Sequence, residues 1–510
     1  MFIISYCAER ISHPLTHIYN LSISSGTFPE RMKVSKVSIL HKSGPTDEPD
    51  NFRGISLIDN MSKPLEKHFS NSLVDFLNDN EFFSKYQYGF RRGYSTIHNL
   101  LNLSNLIIDA ISRNTSCMSI FLDVRKCFDM IDREKLFQKL HYCGVRGVKL
   151  SWIKSYYQNR KQRVHFAGTF SDMLDILLGV LQGSVLGPIL FLIFINDITN
   201  ISEEFIISLF ADDAFAFISR ENLTDLIRSA QEIVSKILEW YHSNSLLVHP
   251  RKTNVVIFQS PRVRLTDEEQ QLKDNFEVYI DMNNFGENLQ EKITKLELVT
   301  ARNGGSVKHL GMLLDETLSF KYHITSIYNK NSKIIYSMRL MRHILDKRHL
   351  RLLYSSYIKS YIDYSSILLC GIPESLLKPI LTQQKKAIRI IEGLGQREHT
   401  AEYFKINLIL PFPLLIKFNC SIFMHKYKFG LQPNVFDNVW PQLADQHRYL
   451  TRNRTNFAYI TGITRNFILN APLHNLPTIY NNLPNELKLI EDQKEFKRKC
   501  FTHFLNQIEF

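Results

Sequence analysis

The adjacent acids Asp212 and Asp213 sit between two apolar, β-prone runs, in the stretch Ile206-Ile-Ser-Leu-Phe-Ala-Asp-Asp-Ala-Phe-Ala-Phe-Ile218. Such a pattern reads as a strand, a tight turn and a second strand. Two carboxylates held side by side repel each other, and burying them is costly unless a cation neutralises them. A solvated hairpin turn would also take both residues, because Asp is common in turns. A second apolar run, Ser116–Leu122, leads straight into a third acid, Asp123. If the two strands are neighbours in one sheet, three carboxylates converge on one rim. Mg²⁺ is held by one or two carboxylates together with substrate phosphates and water. Two such ions about 3.5–4 Å apart can stabilise both the attacking and the leaving oxygen of a phosphoryl transfer. Taken alone, Asp123 would serve equally well as a helix N-cap.

The three acids recur inside longer motifs. Phe121-Leu-Asp-Val-Arg-Lys-Cys-Phe-Asp129, Leu181-Gln-Gly-Ser-Val-Leu-Gly-Pro188 and Phe210-Ala-Asp-Asp213 follow one another in order. They resemble motifs A, B and C of reverse transcriptases from non-long-terminal-repeat retrotransposons of the jockey-like kind. Lys42-Ser-Gly44, Asn51-Phe-Arg-Gly-Ile-Ser-Leu57 and Gly89-Phe-Arg-Arg-Gly-Tyr-Ser-Thr96 resemble the fingers motifs of that family. Lys252-Thr253 and Val307-Lys-His-Leu-Gly311 resemble its later palm motifs. The resemblance is dense over roughly residues 28 to 320 and weaker beyond.

The resemblance implies an α+β right-hand polymerase with fingers, a ferredoxin-like antiparallel palm and a helical thumb. It assigns 1–110 to an amino-terminal extension and fingers, 111–318 to the palm and 319–400 to a basic helical thumb, with the reverse transcriptase domain at about 28–318. Residues 401–510 have no assigned role. Asp123 and Asp212 would hold two Mg²⁺ ions, with Asp213 as the companion acid in catalysis and metal binding. Phe128, five residues after Asp123, would pack beneath the incoming sugar and exclude a ribose 2′-hydroxyl. Gln182 and Gly183 would line the nucleotide, and Lys42 and Arg53 would grip its triphosphate. Three positions depart from the usual pattern. Leu181 and Gly54 stand where Pro is usual, and Cys127 stands where Ala is usual; none of these changes removes a metal ligand or a charge.

Composition narrows the setting. The chain has 510 residues, 44% hydrophobic and 22% charged, which is ordinary for a folded protein of more than one domain. The apolar run Ile189–Ile195 is too short to span a bilayer. Seven scattered cysteines without a Cys-x-x-Cys pair predict an intracellular, reducing compartment, nucleus or cytoplasm, and no zinc knuckle. The net charge of +12 is unevenly placed: residues 321–400 hold 14 Lys/Arg against 5 Asp/Glu, whereas residues 1–320 hold 35 against 37. A basic thumb matches a phosphate backbone, since Lys and Arg facing phosphates supply salt-dependent affinity.

The expected partners are an RNA template, a primer duplex and deoxynucleoside triphosphates. The expected activity is RNA-directed DNA synthesis for a mobile element. The alternative is a catalytically silent relic that binds nucleic acid. No endonuclease region is expected within this chain.

The helical period of Leu226, Ala230, Ile233, Val234, Ile237 and Tyr241 predicts an amphipathic helix, and Val255–Phe258 a strand. Pro261–Gly305 reads as a hairpin or loop insertion. The Pro, Asn and aromatic content of 401–510 predicts irregular structure around short helices.

Overall fold

A computed structural model describes residues 6–509 except 43, 260–264, 282–292, 301–303, 365, 437–438, 443–455 and 458–470. The amino-terminal third runs through α1 (Ala8–Ser25), β1 (Val34–His41), β2 (Phe52–Leu57), α2 (Ser62–Asp79) and α3 (Thr96–Ser112). The middle holds β3 (Ser116–Leu122), α4 (Arg133–Tyr142), α5 (Gly147–Tyr157), β4 (Lys161–Phe166), α6 (Gly187–Ile195), β5 (Ile206–Phe210), β6 (Asp213–Arg220), α7 (Leu223–Ser243) and β7 (Asn254–Phe258). There follow β8 (Glu297–Leu298), the hairpin β9 (Val307–His309) and β10 (Met312–Leu314), and the helices α8 (Lys321–Met341), α9 (Glu374–Glu392), α10 (Phe412–Lys428), α11 (Pro472–Asn481) and α12 (Gln493–Asn506).

The palm is one sheet in the order β8-β7-β3-β6-β5. β3 runs antiparallel to both β6 and β7, and β5 pairs antiparallel with β6. The two-residue edge strand β8 pairs in parallel with β7. Alternation along each strand divides the apolar residues between two cores, as the two-residue period of a strand requires. Met118, Ile120 and Leu122 of β3 join Ala214, Ala216 and Ile218 of β6 and Val255 and Ile257 of β7 on one face. Cys117, Phe121, Phe215, Phe217, Val256 and Phe258 point to the other.

The first face is covered by α6 and α7. The Asn222 side chain accepts from the Asp225 N–H and starts α7, whose apolar stripe from Leu226 to Tyr241 lies in the core, as its period predicts. α6 is apolar on every side, and Ile189 to Ile195 are all buried. Its apolar run is therefore a core helix, and among the described residues no helix is long and apolar enough to cross a membrane.

The second face is covered by α3 and, beyond it, by the carboxy-terminal helices. Leu100 and Leu101 share one core with Phe412, Leu415, Phe418, Leu476, Tyr480 and Phe496. The expectation of irregular structure in 401–510 therefore needs correcting for the described part, which is mainly helical and built into the palm's own core. Pro413 and Pro472 stand in the first turn of α10 and α11, where Pro lacks only an N–H that has no intrahelical partner anyway, whereas Pro477 lies inside α11.

In the fingers, β1 pairs antiparallel with β2 and in parallel with β4. β4 lies within the 111–318 stretch read as palm yet belongs to the fingers sheet, so that sheet is closed by a strand some 120 residues away. In the thumb, α8 packs along α9 and shares a core of Ile335, Met338, Ala387, Ile390 and Ile391. Lys321, Lys330, Lys333, Arg339, Lys385 and Lys386 are exposed on these two helices. The described part of Pro261–Gly305 holds a short helix, Asp267–Asp274, and a hairpin of Tyr279–Asp281 with Ile293–Lys295. All seven cysteines are free thiols.

Candidate active site

The acids occupy the rim where β3 and β6 end. β5 and β6 are joined by a two-residue turn, with Phe210 opposite Asp213 and Ala211 and Asp212 at its tip. Ala211 has φ +57°, the left-handed conformation that tight hairpin turns demand. The β3–β6 register ends at Leu122 opposite Ala214, so Asp123 leaves the sheet beside Asp213.

A second layer fixes this turn. The Leu209 N–H donates to Tyr86 O and the Tyr88 N–H to Leu209 O, both at 2.9 Å. The buried Gln87 Oε1 accepts from Gly89 N at 2.8 Å and from Ala211 N at 3.3 Å. The backbone from Tyr86 to Gly89 thus backs the turn that carries Asp212.

The charges at the rim are unbalanced. The Asp213 carboxyl is raised to about 6, by desolvation first and then by the Asp212 and Asp123 carboxylates, against the pull of Lys308. Asp213 is an exposed residue, so the like-charge repulsion is the part of that shift which the geometry explains. Asp123 Oδ2 lies 3.7 Å from Lys252 Nζ, and its backbone oxygen accepts the His249 N–H at 2.7 Å. The buried Cys127 thiol touches Asp212; burial and that carboxylate push it far above its ordinary range. It is a protonated, inert neighbour.

A repelling carboxylate set beside an open cleft is a donor set that a hard divalent cation would relieve. Even so, among the described residues no three His, Cys, Asp or Glu side chains stand close enough to form a metal cage.

A cleft of about 780 Å³ opens in front of the acids. It is lined by Lys42, Arg53, Asp123, Phe128, Gln182 and Asp212, so six of the eight residues singled out from the sequence meet there. Lys42 and Arg53 come from the loop end of the β1–β2 hairpin. Leu40 pairs with Arg53, and the Lys42 N–H donates to Asn51 O at 2.8 Å, which puts both cations on one face of the hairpin. The Phe128 ring is half-buried, stacks on Phe191 at 4.5 Å between centroids and meets Phe90 edge-on at 6.3 Å.

Asp213 and Gly183 do not line this cleft. Gly183 has φ +111°, and a Cβ there would stand 2.7 Å from Ser56 O. Its glycine lets the motif B loop lie against β2, where the Ser56 N–H donates to Gln182 O at 2.8 Å. Glycine here serves a protein–protein backbone approach.

Three contributors escaped the sequence reading. Lys252 beside Asp123 and Asp129 on the cleft wall lie within motifs already quoted. Gln87 has no local signal beyond its place two residues before Gly89.

The cleft, the acid turn and the two-faced palm belong together in one known class. Residues 40–312 match the family reverse transcriptase (RNA-dependent DNA polymerase), and the chain belongs to it. Within that family it is of the jockey-like, non-long-terminal-repeat kind. It is 26% identical over 452 residues to the probable RNA-directed DNA polymerase from transposon X-element of Drosophila melanogaster, covering 87% of this chain and 44% of that protein. It is 29% identical over 253 residues to the probable RNA-directed DNA polymerase from transposon BS of the same fly, covering 47% and 27%. Against the RNA-directed DNA polymerase from mobile element jockey of that species it is 26% identical over 322 residues, covering 61% and 32%. The chain thus spans less than half the length of these curated relatives. Among solved structures, apo telomerase from Candida tropicalis is similar at a TM-score of 0.39 and 11% identity, over 80% of this chain and 67% of that one.

Proposed function

We propose that this chain is the RNA-directed DNA polymerase of a mobile element. It extends a primer on an RNA template with deoxynucleoside triphosphates. The observation that carries the reading is the meeting of Lys42, Arg53, Phe128, Gln182, Asp123 and Asp212 around one cleft.

In this reading the primer 3′-hydroxyl attacks the α-phosphate of the bound triphosphate, a new phosphodiester bond forms and pyrophosphate leaves. Arg53 and Lys42 hold the triphosphate, the former through the paired donors of its guanidinium. Phe128, propped by Phe191, closes the space a ribose 2′-hydroxyl would need. Gln182 borders the base and sugar. Asp123 and Asp212 would hold two Mg²⁺ ions, with Asp213 in support, and these ions would supply charge neutralisation at the reacting phosphate. Positioning and electrostatics carry most of such a transfer. The exposed cations of α8 and α9 suit the phosphate backbone of the template–primer duplex. The seven free thiols support an intracellular, reducing setting, in nucleus or cytoplasm.

A second reading is a chain that binds nucleic acid without extending a primer. That no three His, Cys, Asp or Glu side chains form a metal-holding group among the described residues is the one observation in its favour. Primer extension with Mg²⁺ separates the two readings: elongation establishes the polymerase, whereas salt-sensitive duplex binding without elongation leaves the relic.

A further inference from the structure

Glu66 is a fully buried acid on α2, 0% exposed, and it does not line the cleft. Its Oε2 accepts the backbone N–H of Val185 at 2.9 Å, and its Oε1 accepts the Ser62 hydroxyl at 3.2 Å. Val185 lies three residues after Gln182 and two before α6 begins. A negative group at that point also meets the positive end of the α6 dipole. Burial raises the Glu66 carboxyl above its ordinary range, while the Val185 N–H and the charge of Arg160, 1% exposed, act against that rise. Arg160 Nε donates to Tyr156 O at 2.6 Å, while its two terminal nitrogens have no hydrogen-bond partner among the described residues.

Burying a carboxylate is a poor route to stability, because its desolvation is costly even with an opposite charge nearby. An acid placed so deep is better explained by what it holds. The loop from Leu181 to Gly187 is fixed at two ends: the Ser56 N–H holds Gln182 O from the fingers side, and Glu66 holds Val185 from below. Gln182, at the first of these points, lines the cleft. Gly187 adds a constraint, since a Cβ there would lie 2.6 Å from Leu181 O. A loop so tightly closed moves as a unit when one anchor is lost.

We propose that Glu66 is a positioning residue for nucleotide binding, acting through the Val185 N–H to set the Gln182 side chain against the incoming nucleotide. This inference rests on the polymerase reading above.

Two conservative variants separate reach from charge. Glu66→Gln keeps the length and an accepting oxygen but loses the charge. Glu66→Asp keeps the charge but draws the carboxylate back from Val185. In steady-state primer extension, Glu66→Asp is expected to raise the KM for the deoxynucleotide about fivefold to tenfold with kcat little changed, the size of one lost hydrogen bond. Glu66→Gln is expected to stay within about twofold of the parent while melting earlier, because the buried Arg160 loses the opposite charge that acts on it. Glu66→Asp made on top of Gln182→Ala is expected to add nothing further, since residues acting through one another are non-additive.

The opposite order, with Glu66→Gln impaired and Glu66→Asp silent, would assign Glu66 to stability alone and overturn the inference. Additive effects in the Gln182→Ala background would overturn it as well. Absence of extension by the parent chain would instead remove the polymerase reading and this inference with it.

Discussion

A methyl group on Gly89 would stand 2.2 Å from the backbone nitrogen of Ala211. The fingers backbone is thus pressed against the turn that presents Asp212, and Gln87 hydrogen-bonds both Gly89 and Ala211. Gly89→Ala must push that turn outward. Overpacking of this kind typically costs about 1–3 kcal/mol. We expect a lower melting temperature and, below both transitions, a primer-extension rate reduced about tenfold or more, because the acid itself moves. Loss of stability with an unchanged rate per folded molecule would separate the turn from catalysis.

Asp213 predicts a pH dependence. Its carboxyl in the folded protein sits at about 6, above its ordinary 3.8. The folded state therefore holds this proton more tightly than the unfolded chain does. The resulting stability is complete below about pH 4 and is lost as pH rises through about 6. Asp213→Asn cannot ionise, so in EDTA it should become the more stable protein as pH rises through that window. After discounting for the exposure of Asp213, the gain is on the order of 1 kcal/mol. Melting curves of both proteins at pH 4, 5 and 7.5 check this; curves that run parallel would contradict it. Added Mg²⁺ should shrink the difference by stabilising the parent.

Lys42 and Arg53 lie on one face of the β1–β2 hairpin and border the cleft. A charge-assisted hydrogen bond to phosphate contributes about 1.5–3 kcal/mol. Lys42→Ala and Arg53→Ala should each raise the KM for deoxynucleotide about tenfold or more, with duplex affinity preserved. Steady-state kinetics with the triphosphate varied, paired with duplex titration, measures both quantities. An unchanged KM in both variants would remove these two cations from the triphosphate site.

Phe128 stacks on Phe191 and borders the cleft five residues after Asp123. Phe128→Val opens the space beneath the sugar. Discrimination against ribonucleotides should then fall about tenfold or more, because a steric exclusion is removed. The test is the ratio of kcat/KM for matched deoxynucleotide and ribonucleotide in the two proteins. A ratio that does not move would make Phe128 a core aromatic only.

Much of the site was legible because its signals are local. β3 was visible as an apolar run ending in an acid, α7 as a helical period, and the Asp212-Asp213 turn as a break between two strands. The departures lie where distant chain segments meet. β4 joins the fingers sheet through parallel pairing with Val34–Ser38, for which nothing near Lys161 provides a signal. Gln87 and Glu66 bind backbone 124 and 119 residues away, so neither carries a local signal of its role in the sequence. Gly183 was assigned to ligand approach, while the surface it approaches is β2. In 401–510, the Pro content suggested irregular structure, yet Pro413 and Pro472 mark helix starts and the helices pack into one core with Leu100 and Leu101.

The central claim is tested most directly by extending a DNA primer on an RNA template with the purified chain, Mg²⁺ and deoxynucleotides, beside Asp212→Asn. The polymerase reading predicts Mg²⁺-dependent elongation that Asp212→Asn abolishes while salt-sensitive binding to the duplex persists. Elongation that survives Asp212→Asn, or no elongation by the parent chain despite duplex binding, would contradict it.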